Sequence, residues 1–116
     1  RARGEASVRR RGMATAAPAA TYTLYGGAWS RALITQMVLE ECEVPYEVVV
    51  VDPTRGDHRR PEFLRVNPAG FVPALRTPEG EVLHEAAATA LYVAERHGAA
   101  RLVPPPGDPA RGRFLA

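Results

Sequence analysis

The sequence has only one cysteine and no long apolar run, and each shortage excludes a class of protein. The single cysteine, Cys42, cannot form an internal disulfide, and no cysteine or histidine spacing resembles a zinc site, so we expect no metal. A chain without disulfides is typical of a reducing compartment, which predicts a cytoplasmic location. No stretch approaches the ~18 apolar residues of a membrane span, so we expect a soluble protein without a membrane partner.

Lysine is absent as well, and the positive charge that arginine supplies is concentrated at the start of the chain. Residues 1–12 hold five arginines and one acid, whereas residues 13–116 hold ten arginines and twelve acids. The net charge of +2 therefore comes from the start of the chain, and the slightly acidic remainder argues against nucleic acid as a partner.

Residues 1–20 show no apolar periodicity, and we predict that they form a disordered arm. An arginine-rich start followed by alanines is compatible with an organelle transit peptide, whereas Met13 favours reading residues 1–12 as upstream sequence. The sequence alone leaves open whether residues 1–12 are native, a transit peptide or an addition.

Residues 21–103 have the pattern of one α/β domain. A β-branched and aromatic run at residues 21–25 predicts a strand, and a helix follows from Ser30, whose residue type is typical of an N-cap. An apolar run at residues 46–51 predicts a second strand, which a right-handed β-α-β crossover makes parallel to the first.

The second half of this domain reads as a short helix, a hairpin and a longer helix. Proline opens the short helix at residues 61–65, and the turn at residues 77–80 joins two short strands. An alanine-rich helix follows and ends at Gly98, which has the residue type of a C′ position. The predicted order is β-α-β-α-β-β-α, and residues 104–116 are predicted to be a linker and the first turn of a further helix.

Five strings of this domain resemble the N-terminal domain of glutathione S-transferases of the serine-using kind, in the right order over about residues 21–113. The strings are Leu24-Tyr25-Gly26 with Ser30-Arg31, Leu39-Glu40-Glu41 with Pro45-Tyr46-Glu47, Pro61-Glu62-Phe63-Leu64 with Asn67-Pro68, Val72-Pro73-Ala74-Leu75, and Glu85 with Tyr92-Val93-Ala94-Glu95-Arg96. The resemblance implies a thioredoxin-like α/β fold, followed in relatives by an all-helical domain. It also implies a detoxification enzyme that uses glutathione as co-substrate against a small electrophile and forms a homodimer in its full-length form.

Ser30 is the candidate catalytic residue. It stands after a predicted strand and at a predicted helix N-terminus, where free N–H groups and the helix dipole favour an anion. The resemblance implies that its hydroxyl stabilises the glutathione thiolate. Tyr25 is the second choice, because tyrosine-using relatives carry their hydroxyl near the end of this strand, and Trp29 is a candidate wall of the site. The alternatives are that Ser30 only caps the helix and that Trp29 only packs.

The resemblance also assigns backbone and loop residues to glutathione. It implies a cis peptide bond at Val72-Pro73, which leaves the backbone of Val72 free to pair with the cysteinyl part of the ligand. His58 and Arg59 lie in the loop from which some relatives reach the glycyl carboxylate, although residue type alone favours a solvated charged loop.

Glu85 and Ala86 open the last helix of the domain, whose N–H groups can receive the γ-glutamyl carboxylate. The family usually has serine at the position of Ala86, so one hydroxyl donor is missing here, and Glu85 is also explained as an ordinary first-turn acid. Ala86 therefore keeps an alternative function open, in which the domain is a non-catalytic binding or assembly module of the same family. A thiol-disulfide oxidoreductase on this fold would need a cysteine at the start of the first helix, whereas Cys42 lies near its far end.

Overall fold

The computed structural model of the chain describes residues 8–11, by their backbone, and residues 21–98 and 101–116. Within these ranges five strands form one mixed sheet in the spatial order β1-β3-β2-β4-β5. The strands are β1 (Val8–Arg11), β2 (Tyr22–Gly26), β3 (Tyr46–Val50), β4 (Ala74–Arg76) and β5 (Val82–His84). The helices are α1 (Ala32–Glu41), α2 (Pro61–Val66), α3 (Ala86–Val93) and α4 (Ala110–Leu115).

The sheet topology confirms the predicted thioredoxin-like order from β2 onwards. β2 and β3 are parallel, with Leu24 opposite Val48, and α1 forms the crossover between them. β4 pairs antiparallel with β2 and with β5, so the last two strands form the predicted hairpin. This arrangement brings the end of β2 and the starts of α1 and α3 to one side of the molecule.

The prediction of a disordered arm is wrong for Val8–Arg11, which pairs antiparallel with β3 as strand β1. Val8 lies opposite Val49, and Arg11 lies opposite Tyr46. A strand of four residues with three consecutive arginines has no period-2 alternation to detect, and its pairing depends on the open backbone of β3 more than 30 residues later. The rest of the predicted arm, residues 1–7 and 12–20, lies outside the described residues.

Two apolar clusters occupy the two faces of the sheet, because successive side chains of a strand point to opposite sides. Leu24 belongs to the cluster beneath α1 and α3, where Leu39 and Val93 are fully buried. Tyr25, the next residue, belongs to the opposite cluster with Phe63 of α2. Fully burying a side chain of this size contributes ~1.5–3 kcal/mol, so the helices are held to the sheet mainly by these contacts.

Two helix boundaries differ from the sequence prediction. The N-cap of α1 is Arg31 instead of Ser30, and α1 itself begins at Ala32. The last turn after α3 widens into a π-helical segment, Ala94–Gly98, so Gly98 ends a π-turn instead of following an α-helix as its C′ residue. No helix in the described ranges is long and apolar enough to cross a bilayer.

The π-helical turn brings His97 onto the start of β2. The hydroxyl of Tyr22 lies 2.8 Å from Nε2 of His97, and the two rings meet edge to face at 5.5 Å. An extra residue in a helical turn of this kind has no signature in the apolar spacing, which explains why the sequence predicted a regular helix here.

Candidate functional site

A cavity of ≈ 590 Å³ lies between the N-terminal ends of α1 and α3 and the segment that precedes β4. Four predicted site residues line it together: Val72, Pro73, Glu85 and Ala86. Seven further residues on its wall were not predicted, among them Arg31, Phe71 and His84, each of which stands next to a predicted residue in the chain. The sequence signal of these three is only this adjacency, because no residue type by itself marks them.

Ser30 does not line this cavity. It lies at the turn that leads into α1, next to Arg31, which does line it. Its hydroxyl donates to the carbonyl of Gly27 at 2.8 Å and accepts from the backbone N–H groups of Gly27 and Ala32, both at 3.2 Å. A hydroxyl has a single proton, so Ser30 must turn away from Gly27 in order to donate to any ligand. Ser30 therefore caps the first turn of α1 with its side chain, although the N-cap position belongs to Arg31.

Gly26 makes this close approach of β2 and α1 possible. A Cβ atom added at Gly26 would lie 2.3 Å from Cβ of Ala32 and 3.2 Å from Oγ of Ser30, and the backbone φ here is +154°. Only glycine avoids both the collision and the unfavourable backbone conformation. The end of β2 is thus built to set Ser30 directly against the start of the helix.

Tyr25, the second catalytic choice, lies on the opposite face of the sheet. It is 7% exposed, packs against the ring of Phe63 at 6.1 Å between centroids, and does not line the cavity. Burial raises the pKa of Tyr25, and the positive charge of Arg76 over its ring offsets only part of that rise. A buried phenol with a raised pKa is a poor choice to stabilise a thiolate, because it neither reaches the cavity nor becomes more acidic.

Three other predicted residues also lie off the cavity wall. Trp29 is fully exposed, so neither packing nor a wall of this cavity accounts for it in the described residues. His58 and Arg59 lie in a one-turn 3-10 helix, Asp57–Arg59, where Nε of Arg59 donates to Nε2 of His58 at 3.4 Å. The cavity therefore unites the cis-proline segment with the residues at the start of α3, and its wall includes neither Ser30 nor the loop candidates.

The peptide bond between Val72 and Pro73 is cis, as the resemblance implied. Pro73 is buried, and both residues precede β4 instead of lying inside it. Val72 is consequently outside the ladder between β4 and β5, and it lines the cavity.

The start of α3 has an unusual backbone. Glu85, the residue before α3, has a φ of +74° and a ψ of 116°, which non-glycine residues rarely adopt. Backbone strain of this kind costs ~1–3 kcal/mol and is concentrated at functional sites. Ala86 and Ala87, the first residues of α3, line the cavity, and their N–H groups have no acceptor within the helix. Arg31 and Glu85 line it too and carry opposite charges.

The remaining chemistry of the described residues is sparse. No group of three histidine, cysteine, aspartate or glutamate residues among them is placed to hold a metal ion. Cys42 follows the last turn of α1 as its C-cap, and burial raises the pKa of its thiol, which disfavours the reactive thiolate. The described residues that line the cavity include no cysteine, serine or threonine.

A model of the family described as "Glutathione S-transferase, N-terminal domain" matches residues 30–96. Glutathione S-transferase hmp2 of Hypomyces subiculosus is 38% identical over 93 residues, which are 78% of this chain and 43% of that protein. A solved glutathione transferase homologue from Sulfitobacter, with bound glutathione, superposes with a TM-score of 0.74 at 34% identity, covering 83% of this chain and 46% of its own.

A second solved structure, glutathione transferase URE2P8 from Phanerochaete chrysosporium with oxidised glutathione, gives a TM-score of 0.75 at 28% identity. That match covers 88% of this chain and 47% of the other. The chain thus spans less than half the length of these relatives.

Proposed function

Because the chain belongs to the glutathione S-transferase family, we propose that it forms the glutathione-binding part of a glutathione S-transferase, in which the bound thiol is ionised for attack on an electrophile. The observation that carries this proposal is the cavity between two helix N-termini and the cis-proline segment. Glutathione has a carboxylate at each end, an ammonium group and a thiol, and the cavity has a matching partner for most of these groups.

The γ-glutamyl end is assigned to the start of α3. The N–H groups of Ala86 and Ala87 and the positive end of the helix dipole would receive its carboxylate, and the carboxylate of Glu85 would receive its ammonium group. The backbone of Val72 would pair with the cysteinyl residue as an added strand does. This orientation directs the sulfur towards the start of α1.

Ser30 is assigned to the sulfur. A hydroxyl that donates to a charged acceptor contributes ~1.5–3 kcal/mol, but Ser30 first gives up its bond to the carbonyl of Gly27, which is worth about 1 kcal/mol. The net gain of ~0.5–2 kcal/mol lowers the pKa of the thiol by about half a unit to one and a half units, which increases the thiolate fraction at neutral pH. The guanidinium of Arg31, on the cavity wall, favours the same anion.

In the reaction, the sulfur lone pair forms a bond to an electrophilic carbon of the substrate, and a leaving group departs with its bonding electrons or an activated double bond accepts them. The proton of the thiol has already left to solvent, so Ser30 only donates a hydrogen bond and is not consumed. No further protein nucleophile is needed.

The full-length enzyme would require more than this domain. A second, apolar groove of ≈ 570 Å³ lies between α1, α3 and α4, and Met37, Leu91, Leu102 and Phe114 line it. Met37 and Phe114 are exposed, as expected if an all-helical domain covers this face in a homodimeric, cytoplasmic detoxification enzyme.

A non-catalytic binding or assembly module is the second candidate function. Two observations favour it: Ala86 lacks the hydroxyl that the family usually supplies, and the hydroxyl of Ser30 is already bonded within its own turn. The two candidates differ in whether the thiol is activated, and not in the fold.

Calorimetric titration of glutathione into the chain tests the proposal. We expect saturable binding of one glutathione, which S-substituted glutathione displaces. Absence of binding would contradict the proposal. Binding with an unshifted thiol pKa would instead support the non-catalytic module.

A further inference from the structure

Two fully buried threonines connect the helices on either side of the cavity. Thr35 lies on α1 and Thr89 on α3, and neither side chain is exposed to solvent. Their hydroxyl oxygens are 2.7 Å apart although the residues are 54 positions apart in the chain. This polar contact lies in an interface that is otherwise apolar.

The direction of the hydrogen bonds follows from counting protons. The hydroxyl of Thr89 donates to the carbonyl of Ala86 at 3.1 Å, and this uses its only proton. Thr35 must therefore be the donor in the contact between the two threonines. The result is one directional chain, from Thr35 to Thr89 to the first residue of α3.

This chain ends at the peptide group that faces the cavity. The carbonyl of Ala86 belongs to the same peptide unit as the N–H of Ala87, and both residues line the cavity. Thr89 also holds the preceding residue, because its backbone N–H donates to the carbonyl of Glu85 at 2.9 Å. Hydrogen bonds in series polarise one another, so the N–H of Ala87 becomes a better donor.

Stability alone does not explain why these two buried residues are both threonine. Valine has the same shape as threonine, and replacing both partners of a buried hydrogen bond by apolar groups of that shape is nearly neutral for folding. A directional hydrogen bond does, however, fix the rotation and displacement of α3 relative to α1, which apolar packing alone would not fix.

We propose that Thr35 and Thr89 are positioning residues for glutathione, holding the first N–H groups of α3 in the geometry that receives the γ-glutamyl carboxylate. The inference rests on the proposed function of the cavity. It assigns to Thr89 part of the role that the hydroxyl missing at Ala86 would otherwise have.

Four variants of the chain separate positioning from simple stabilisation. Thr35→Val/Thr89→Val removes both hydroxyls and keeps the packing volume, whereas Thr89→Ser keeps the hydroxyl and removes a buried methyl group. Thr77→Val is the matched control, because Thr77 is also buried and its Oγ1 accepts from the N–H of Glu81, at the hairpin turn away from the cavity. Thr35→Val alone leaves the bond from Thr89 to Ala86.

Glutathione affinity by calorimetry and stability by urea unfolding are measured on each variant. We expect the double variant to bind about two- to tenfold more weakly, the equivalent of one net hydrogen bond, with an unchanged unfolding midpoint. Thr89→Ser should be less stable and bind as the unaltered chain does, and Thr77→Val should lose stability without losing affinity. Thr35→Val should fall between the double variant and the unaltered chain in affinity.

Unchanged affinity in the double variant would overturn the proposal and leave the proposed function intact, and so would affinity that follows stability across the four variants. If the unaltered chain does not bind glutathione, the proposed function and this inference both fail. The two failures are therefore distinguished by the first titration.

Discussion

The hydroxyl of Ser30 and the carbonyl of Gly27 form a 2.8 Å hydrogen bond, so the group proposed to face a thiolate is engaged within its own turn. The same carbonyl also accepts the backbone N–H of Ser30 at 3.0 Å. Gly27 therefore keeps one partner when the hydroxyl rotates away. The rotation costs one neutral hydrogen bond and leaves no buried acceptor without a partner.

The first prediction concerns the acidity of bound glutathione. Ser30→Ala should raise the apparent pKa of the bound thiol by about half a unit to one and a half units. This shift corresponds to the free energy of the hydrogen bond to the thiolate, minus that of the hydrogen bond to Gly27 that Ser30 gives up. Tyr25→Phe is the matched control and should leave that pKa unchanged, because Tyr25 lies on the other face of the sheet. Thiolate absorbance near ~240 nm, titrated on the complex, measures both. A larger shift for Tyr25→Phe would show that the site belongs to the tyrosine-using kind.

The second prediction restores the hydroxyl that is missing at the start of α3. Ala86→Ser should strengthen glutathione binding about fivefold, because it adds a hydroxyl donor to a charged acceptor at a small cost in rotamer freedom. Ala88→Ser is the control, since Ala88 lies on the same helix but does not line this cavity. Calorimetry on the two variants compares them directly. Equal glutathione affinities in the two variants would show that the γ-glutamyl carboxylate does not bind at the start of α3.

The third prediction is a dependence of stability on pH that arises from His97. Burial lowers the pKa of His97, and the positive charge of Arg96 lowers it further. The unfolded chain therefore takes up a proton near the ordinary pKa of ~6.5, while the folded chain does so only at lower pH. The contribution of His97 to stability is complete above that pKa and is lost as the pH falls through the folded value.

His97→Gln tests this, because glutamine can still accept the hydroxyl of Tyr22 and cannot titrate. Between pH 7 and pH 5 the unaltered chain should lose more stability in urea than His97→Gln, by less than about 1 kcal/mol because the histidine is exposed to solvent. Glu79 stays charged throughout, since its hydrogen bonds from Arg96 lower its pKa to about 2. An identical slope in His97→Gln would contradict the assignment.

The fourth prediction compares two glycines. A Cβ atom at Gly98 would lie 2.9 Å from the sulfur of Cys42 and 3.2 Å from Cδ1 of Leu102, whereas one at Gly112 would meet nothing within 4 Å. Gly98→Ala should therefore destabilise the chain by about 1–3 kcal/mol through overpacking. Gly112→Ala should not destabilise it and should favour α4 by up to about 1 kcal/mol. Unfolding midpoints in urea decide between them, and equal effects would mean that Cys42 and Leu102 move aside freely.

The parts of the fold that local pattern determines were predictable. The parallel pair β2 and β3 followed from two apolar strands around an amphipathic helix, and the cis bond at Val72-Pro73 followed from the family strings. The four candidates that line the cavity are the ones whose roles depend on backbone position, which the order of elements specifies. Ser30 was expected to be the N-cap of α1, whereas the N-cap is Arg31, and the bond of Ser30 to Gly27 depends on a turn geometry that residue types do not reveal.

Features that depend on distant pairing were not predictable. β1 exists through its contacts with β3, and the contact of Thr35 with Thr89 exists through the packing of α1 on α3. In the sequence each threonine is only one polar residue in an apolar stretch. Arg31 and Phe71 line the cavity because of how their chain segments are oriented relative to α3. Local sequence does not specify that orientation.

β1 also has a consequence for how copies of the chain behave in solution. An uncovered sheet margin presents a row of backbone donors and acceptors to which another polypeptide can add, the first step of aggregation. Antiparallel pairing with Val8–Arg11 occupies that row on β3 along four of its five residues. A version trimmed to begin at Met13 would expose the backbone of Tyr46–Val50 along its outer side, so pairing with Val8–Arg11 protects the chain against self-association.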